Sequence, residues 1–160
     1  MKPSIWLVAA ALSLAPLTAE AQVAVTPAAD QLALLKSPDP ILARNKRLVF
    51  DLWRTVLEAG QADRAPDYLA EGYIQHNPMV ATGRAAFMKF FSGRPAKPVS
   101  PTIAAPLVSI VAERDMVVLS FVRSLPDPAD PAKTYTTTWF DMFRIEDGKV
   151  AEHWDTATKR

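Results

Sequence analysis

The strongest constraint on this chain lies near its C-terminal end, where Thr138 to Asp155 reads TWFDMFRIEDGKVAEHWD. Two apolar runs flank Glu146-Asp147-Gly148, a turn signal, so the segment is expected to fold back on itself as a β-hairpin within an antiparallel sheet. A carboxylate interrupts each run. Asp141 sits among Trp139, Phe140 and Met142, and Asp155 follows His153-Trp154. A lone buried carboxylate is costly unless paired or protonated. Two such placements in one hairpin point to a pocket; the alternative is that both acids face solvent or pair with arginines.

The turn decides which residues share a face. If Asp147-Gly148 is a two-residue turn, Ile145 pairs near Val150, Asp141 faces Trp154, and Asp155 points to the other side of the sheet. If Glu146-Asp147-Gly148 is a three-residue loop, Asp141 lies opposite His153 and Asp155 opposite Trp139. Only the second register puts Asp141, His153 and Asp155 on one face. Both faces carry aromatics, so the pattern leaves the two registers open.

Upstream the apolar period is helical. Asp39 fits a helix N-cap and Pro40 the first helical position. Ile41, Leu42, Asn45, Leu48, Val49, Leu52, Trp53 and Val56 recur at helical spacing until Gly60. A short second helix is expected over Ala62 to Ala70, an extended piece over Gly72 to Pro78, and a third helix over Gly83 to Phe91. Prolines at 95, 98, 101 and 106 mark a loop. Strand-like runs follow at Leu107 to Ala112, Met116 to Val122, Lys133 to Ile145 and Val150 to Ala157, with a loop over Leu125 to Ala132. Helices first and antiparallel strands later indicate one α+β domain over residues 39–160.

The N-terminus reads as a signal peptide over residues 1–21: Lys2, an apolar stretch from Ile5 to Leu17, and Ala19-Glu20-Ala21 as the cleavage site. The stretch is too short to span a bilayer. A periplasmic or secreted protein with no membrane contact after cleavage is therefore expected. Residues 22–38, rich in alanine, read as a flexible arm whose Leu32, Leu34 and Leu35 lie on the domain surface or on a partner subunit. The formal net charge of +1, with acids and bases interspersed, gives no footprint for nucleic acid or an anionic membrane. No cysteine is present, which excludes disulfides, thiol nucleophiles and zinc–thiolate sites.

The chain has two histidines, His76 and His153. With Asp141 and Asp155 they offer the residue types of a two-histidine-one-carboxylate metal site, but nothing in their spacing requires one, and no metal or other cofactor is expected. A histidine–aspartate pair moving protons fits better, since histidine titrates near neutrality. For each histidine alone, a hydrogen-bonded strand residue is the bland reading. No Gly-x-Ser-x-Gly elbow and no glycine-rich phosphate loop occur. Trp53, Phe87 and Phe91 stand at core spacing, and some of them could line a cavity.

The order of elements, the Tyr73-Ile74-Gln75-His76-Asn77-Pro78 piece, Gly83-Arg84 opening a helix, and the Trp139-Phe140-Asp141-Met142-Phe143-Arg144 and Glu152-His153-Trp154-Asp155 strands together resemble the SnoaL-like polyketide cyclases of the nuclear-transport-factor-2-like superfamily. The resemblance covers about residues 40–158. It implies a cone-shaped α+β barrel, a curved antiparallel sheet wrapped on about three helices, with an interior pocket and a tendency to form homodimers through the sheet. It also implies ring closure by aldol condensation without metal or cofactor. Asp155 would be the acid/base carboxylate, His76 and Asp141 its partners, and Trp53, Tyr73, Phe87, Phe91, Trp139, Phe143 and His153 the pocket. The leader departs from the pattern of cytoplasmic cyclases, which counts against a polyketide substrate more than against the fold. The resulting expectation is an exported domain that binds a small apolar carbonyl compound and performs metal-free acid/base chemistry on it. The alternative is a non-catalytic ligand-binding or dimerisation module.

Overall fold

Helix α1, Pro40–Leu52, starts where the sequence places it. The Asp39 carboxylate accepts hydrogen bonds from the backbone N–H groups of Ile41 (2.7 Å) and Leu42 (3.4 Å), which satisfies donors that no helical carbonyl can reach. Its inward face buries Val49, Phe50 and Leu52. The helix then widens over Trp53–Glu58, where Ala59 N–H reaches back five residues to the Arg54 carbonyl (3.1 Å). Such a widened turn re-aims side chains relative to a regular helix, and Trp53 is among those it carries. Gly60, at φ 69°, ends the segment; a Cβ there would stand 3.0 Å from the Pro95 carbonyl oxygen.

The computed structural model describes residues 23–159. The expected signal peptide, residues 1–21, lies outside the described residues. Among those described, no helix is long and apolar enough to cross a membrane. The short second helix is a 3-10 segment, Ala62–Asp67. It stops earlier than expected because Leu69 is fully buried and pairs with Val150, drawing the chain into strand β1, Leu69–Gln75. Helix α2 spans Arg84–Phe91. Strands β2 (Leu107–Glu113), β3 (Met116–Pro126), β4 (Thr134–Glu146) and β5 (Lys149–Asp155) follow.

The five strands form one sheet in the order β1-β5-β4-β3-β2. The α+β architecture is the one expected. The sheet departs from the expected all-antiparallel barrel in two respects. It stays open, and β1 joins β5 in parallel, because the connection between them is long and includes the rest of the sheet. Its inner face packs Val117, Leu119, Phe121 and Phe143 against Val49, Phe50 and Val56 of the helical segment.

The residues before α1 are not the loose arm expected from their composition. Gln31 donates through Nε2 to the Ile103 carbonyl (2.9 Å) and accepts through Oε1 from the Ile103 N–H (2.9 Å). Ala28 N–H donates to the Leu107 carbonyl (2.8 Å), Val25 N–H donates to Thr136 Oγ1 (2.9 Å), and Leu35 is buried. Backbone hydrogen bonding of this kind leaves no mark in composition.

The closing hairpin follows neither anticipated register. Asp147 and Gly148 both take positive φ (49° and 72°), the signature of a two-residue type I′ turn. Glu146 pairs with Lys149 and Ile145 with Val150, but Arg144 pairs with Glu152. Ala151 is thus left without a partner, as in a β-bulge. The extra residue restores what the two-residue turn alone would forbid. Phe143 faces His153, Asp141 faces Asp155, and both acids lie on the inner face with His153. Replacing Gly148 by valine should destabilise the domain by about 1–2 kcal/mol, the cost of a left-handed β-branched residue, measured as a lower urea midpoint at unchanged slope.

Candidate functional site

Period-two alternation on β1 and β5 aims one set of side chains inward. Tyr73, Gln75 and, just beyond the strand, Asn77 line a cavity of about 130 Å³, together with His153 and Asp155. From β4 come Asp141 and Phe143; from the helical side come Leu52, Trp53, Leu57, Phe87 and Phe91. The walls are apolar and the polar groups converge from one side. Trp53 is fixed by its stack on Phe121 (4.5 Å between ring centres) and by its indole N–H, which donates to Glu58 Oε1 (3.3 Å). Glu58 also accepts from the N–H groups of Ala104 (2.7 Å) and Ala105 (2.9 Å), which ties the proline-rich loop to this wall.

Backbone donors settle the orientation of the two amides. Asn77 N–H donates to the Gln75 side-chain oxygen (2.9 Å), so the Gln75 nitrogen must be the atom that donates to the Tyr73 hydroxyl (3.0 Å). Met79 N–H donates to Asn77 Oδ1 (2.8 Å), so Asn77 Nδ2 is the group that donates to Asp155 Oδ2 (2.6 Å). The Asp155 Oδ1 atom accepts from Ala157 N–H (2.8 Å). Both oxygens of Asp155 therefore accept hydrogen bonds from amide donors, as a carboxylate does.

Asp141 has the opposite surroundings. It is 4 % exposed, and its Oδ2 is buried without a hydrogen-bond partner. Its Oδ1 lies 3.0 Å from His153 Nε2, and His153 Nδ1 lies 2.8 Å from the Gln75 side-chain oxygen. Because that oxygen can only accept, Nδ1 carries a hydrogen and donates it. The Nε2–Oδ1 contact then needs one more proton. Either Asp141 O–H donates to a neutral imidazole, or imidazolium Nε2–H donates to the carboxylate. Burial pushes the Asp141 carboxyl above its usual range, and the His153 hydrogen bond opposes that shift. Burial likewise raises the Tyr73 phenol, reinforced by Asp155 and Asp141. Since Tyr73 accepts from Gln75, its own hydrogen is free to point into the cavity.

Asp141, His153 and Asp155 each offer a ligand atom within 4.8 Å of the others, a spacing that a divalent cation could also use. The hydrogen-bond network supplies a different solution for the same crowding of acceptors, a proton held between Nε2 and Oδ1.

Of the site residues expected from sequence, Trp53, Tyr73, Phe87, Phe91, Asp141, Phe143, His153 and Asp155 all line the cavity. His76 does not. It points to the outer face, where it stacks on Trp154 (4.9 Å, 6° between planes) and its Nε2 meets Glu152 Oε1 at 2.8 Å. Glu152 also accepts from Arg144 Nε (2.9 Å), and the two contacts, His76 first, hold its carboxyl below the usual range. Trp139 shares the inner face of β4 with Asp141 and Phe143 but lines an adjoining groove beyond the cavity. The sequence reading passed over Gln75 and Asn77. Their signal was available: with Tyr73 inward, alternation puts Gln75 and Asn77 inward and His76 outward.

An open α+β cone with an acid-lined interior cavity defines the class. Residues 50–153 match the model of the SnoaL-like domain family, and the chain belongs to that family. The fold agrees with that of a polyketide-cyclase-like protein from Acidithiobacillus ferrooxidans (TM-score 0.50, 16 % identity, covering 75 % of this chain and 89 % of that one). TsrD from Streptomyces laurentii is 22 % identical (TM-score 0.47, covering 74 % and 90 %). An LEH-like epoxide hydrolase from M. tuberculosis is 14 % identical (TM-score 0.48, covering 70 % and 80 %). No curated protein matches the chain in sequence.

The raised Asp141 carboxyl fixes a pH dependence. An acid whose folded pKa exceeds its unfolded value adds stability that is complete below the unfolded value, about 3.9, and is lost as pH rises through the folded one. Asp141→Asn keeps a donor toward Nε2 and removes the ionisable group. Its stability relative to the parent chain should therefore increase as pH is raised from about 4 toward neutrality, measured by thermal melts across that range. A constant difference would contradict the assignment.

Proposed function

We propose that this protein binds a small carbonyl compound in the interior cavity and moves protons on it by cofactor-independent acid/base chemistry, of the isomerase or aldol-cyclase type. One observation carries this reading. Two carboxylates share an apolar cavity in opposite hydrogen-bond environments, Asp155 with both oxygens accepting from amides and Asp141 sharing a proton with His153. Environments that set two acids apart are the usual basis for dividing base and acid roles.

In this reading the Asp155 carboxylate removes a proton from the carbon next to the carbonyl. The C–H electron pair becomes the enolate, and its oxygen takes a hydrogen bond from the Tyr73 hydroxyl. The protonated Asp155 then either returns the proton to a different carbon of a conjugated enolate, or, where the enolate carbon attacks a second carbonyl of the same molecule, gives it to the alkoxide formed there. The family match supports a fold of the cyclase and isomerase kind; the placement of the acids supports the chemistry.

Incubation with a panel of simple ketones and 1,3-dicarbonyls in D2O tests this directly, with loss of the α-proton NMR signal as readout. Asp155→Asn should slow exchange by roughly 10²–10⁴-fold. His76→Ala, on the outer face, should stay within a few-fold of the parent rate. Equal exchange with and without the Asp155 carboxylate would sink the reading and leave a binding module.

We further propose export, from the leader-like N-terminus, and pairing with a second copy through the outer sheet face. There Val111, Val118, Met142 and Trp154 align across four strands, beside an exposed Phe140. Phe140→Asp should convert a dimer to a monomer in light scattering; an unchanged mass would reject this face.

A further inference from the structure

The interior cavity is small. At about 130 Å³ it is close to the size of a cavity that holds one benzene ring, so a compound larger than a single ring must extend out of it. Directly outside lies a groove of about 620 Å³, which shares Asn77 with the cavity and includes Thr156, next to Asp155. The groove has a charge opposite to the interior. Arg94 and Arg123 line it and no acidic side chain does.

Both arginines are held in place by aromatic rings, and neither is neutralised. The Arg123 guanidinium lies 4.9 Å from the centre of the Trp139 ring, and the Arg94 guanidinium 4.6 Å from that of Phe91. Phe91 is itself a wall of the inner cavity, so this one ring separates the interior from a cation. Arg94 spends one N–H on the Leu57 carbonyl (3.1 Å). Among the described residues neither arginine makes an ion pair with a carboxylate, although Arg47, Arg54, Arg64 and Arg144 all do. A guanidinium stacked on a ring is pre-oriented and presents a planar fork of donors matched to a carboxylate. Phe90 and Met79, 53 % and 49 % exposed, add apolar surface to the same groove.

We propose that the groove is a subsite for an anionic substituent, so that the ligand is an oxo acid, with its carbonyl end inside the cavity and its carboxylate outside on Arg123 and Arg94. This deepens the functional reading above and rests on it for the placement of the carbonyl. The two compartments orient the molecule by charge. The Asp155 carboxylate repels an anion from the interior, and the arginines attract it at the mouth. The apolar groove surface covers the chain that joins the two ends. A neutral compound of the same shape would fill both compartments without using the arginines.

Isothermal titration with 3-benzoylpropionate and with its methyl ester, which keeps the ketone and ring but removes the charge, separates these cases. The acid should bind about tenfold more tightly than the ester, a difference of about 1.4 kcal/mol, and lose that advantage as salt is raised. Arg123→Gln and Arg94→Gln should each weaken the acid and leave the ester unchanged, while Arg47→Gln, on α1, should affect neither. Acid and ester binding alike, both weakened equally by the arginine variants, or no saturable binding of the acid at millimolar concentration would overturn the proposal. The result is distinguishable from failure of the acid/base reading, because binding is measured without turnover. Tight, arginine-dependent binding of the acid with no Asp155-dependent exchange would keep the anion subsite and discard the catalysis.

Discussion

One unpaired residue organises the site. Ala151 has no partner on β4, and at the same level β1 runs from Leu69 to Ile74 while β5 advances only from Val150 to Glu152. Both neighbours of β5 are therefore irregular at the same point. Without that extra residue, the type I′ turn at Asp147-Gly148 would send Asp155 to the outer face, away from Asp141. With it, the last strand reverses its inside and outside past the turn, and His153 and Asp155 come under the helices. The bulge costs ladder hydrogen bonds, and what it secures is the meeting of three titratable groups in one apolar space.

The amides of Gln75 and Asn77 then determine what those groups can do. Each is oriented by a backbone N–H two residues further along the chain, a local turn interaction that needs no tertiary contact. The same side chains reach across to β5 and present an acceptor to His153 and a donor to Asp155. Short-range geometry therefore sets the hydrogen-bonding role of groups about 78 positions away in sequence. Two acids of the same chemical type end in different states because one meets amide donors and the other meets an imidazole.

Much of this was legible in the sequence, and the exceptions have physical causes. The cap at Asp39, the stop at Gly60 and the later strand runs are local patterns, and they hold, except that β3 continues beyond Val122 to Pro126 along β4 and β1 lies earlier than expected, at Leu69–Gln75. The hairpin acids were correctly marked as unusual, but the pattern could not reveal the bulge, because inner and outer faces of β4 and β5 both carry aromatics. The parallel entry of β1 depends on a long-range pairing that no periodicity encodes. His76 looked functional as a histidine before Asn-Pro; its neighbour in the alternation, Gln75, holds the inward position. The Gln22 to Ser37 segment has few large side chains, so its composition reads as loose, whereas backbone groups and Gln31 fasten residues 25–31 of it.

Glu58 and Gln31 have a wider consequence. Each joins segments far apart in sequence through side-chain to backbone hydrogen bonds, one holding the proline-rich loop to the helical wall and the other holding residues before α1 to Ile103. Small domains often make such links with disulfides, and this chain has no cysteine to do so. Its cross-links are insensitive to redox potential. The folded domain needs no disulfide chemistry to assemble, and it keeps the same tertiary restraints in a reducing or an oxidising compartment.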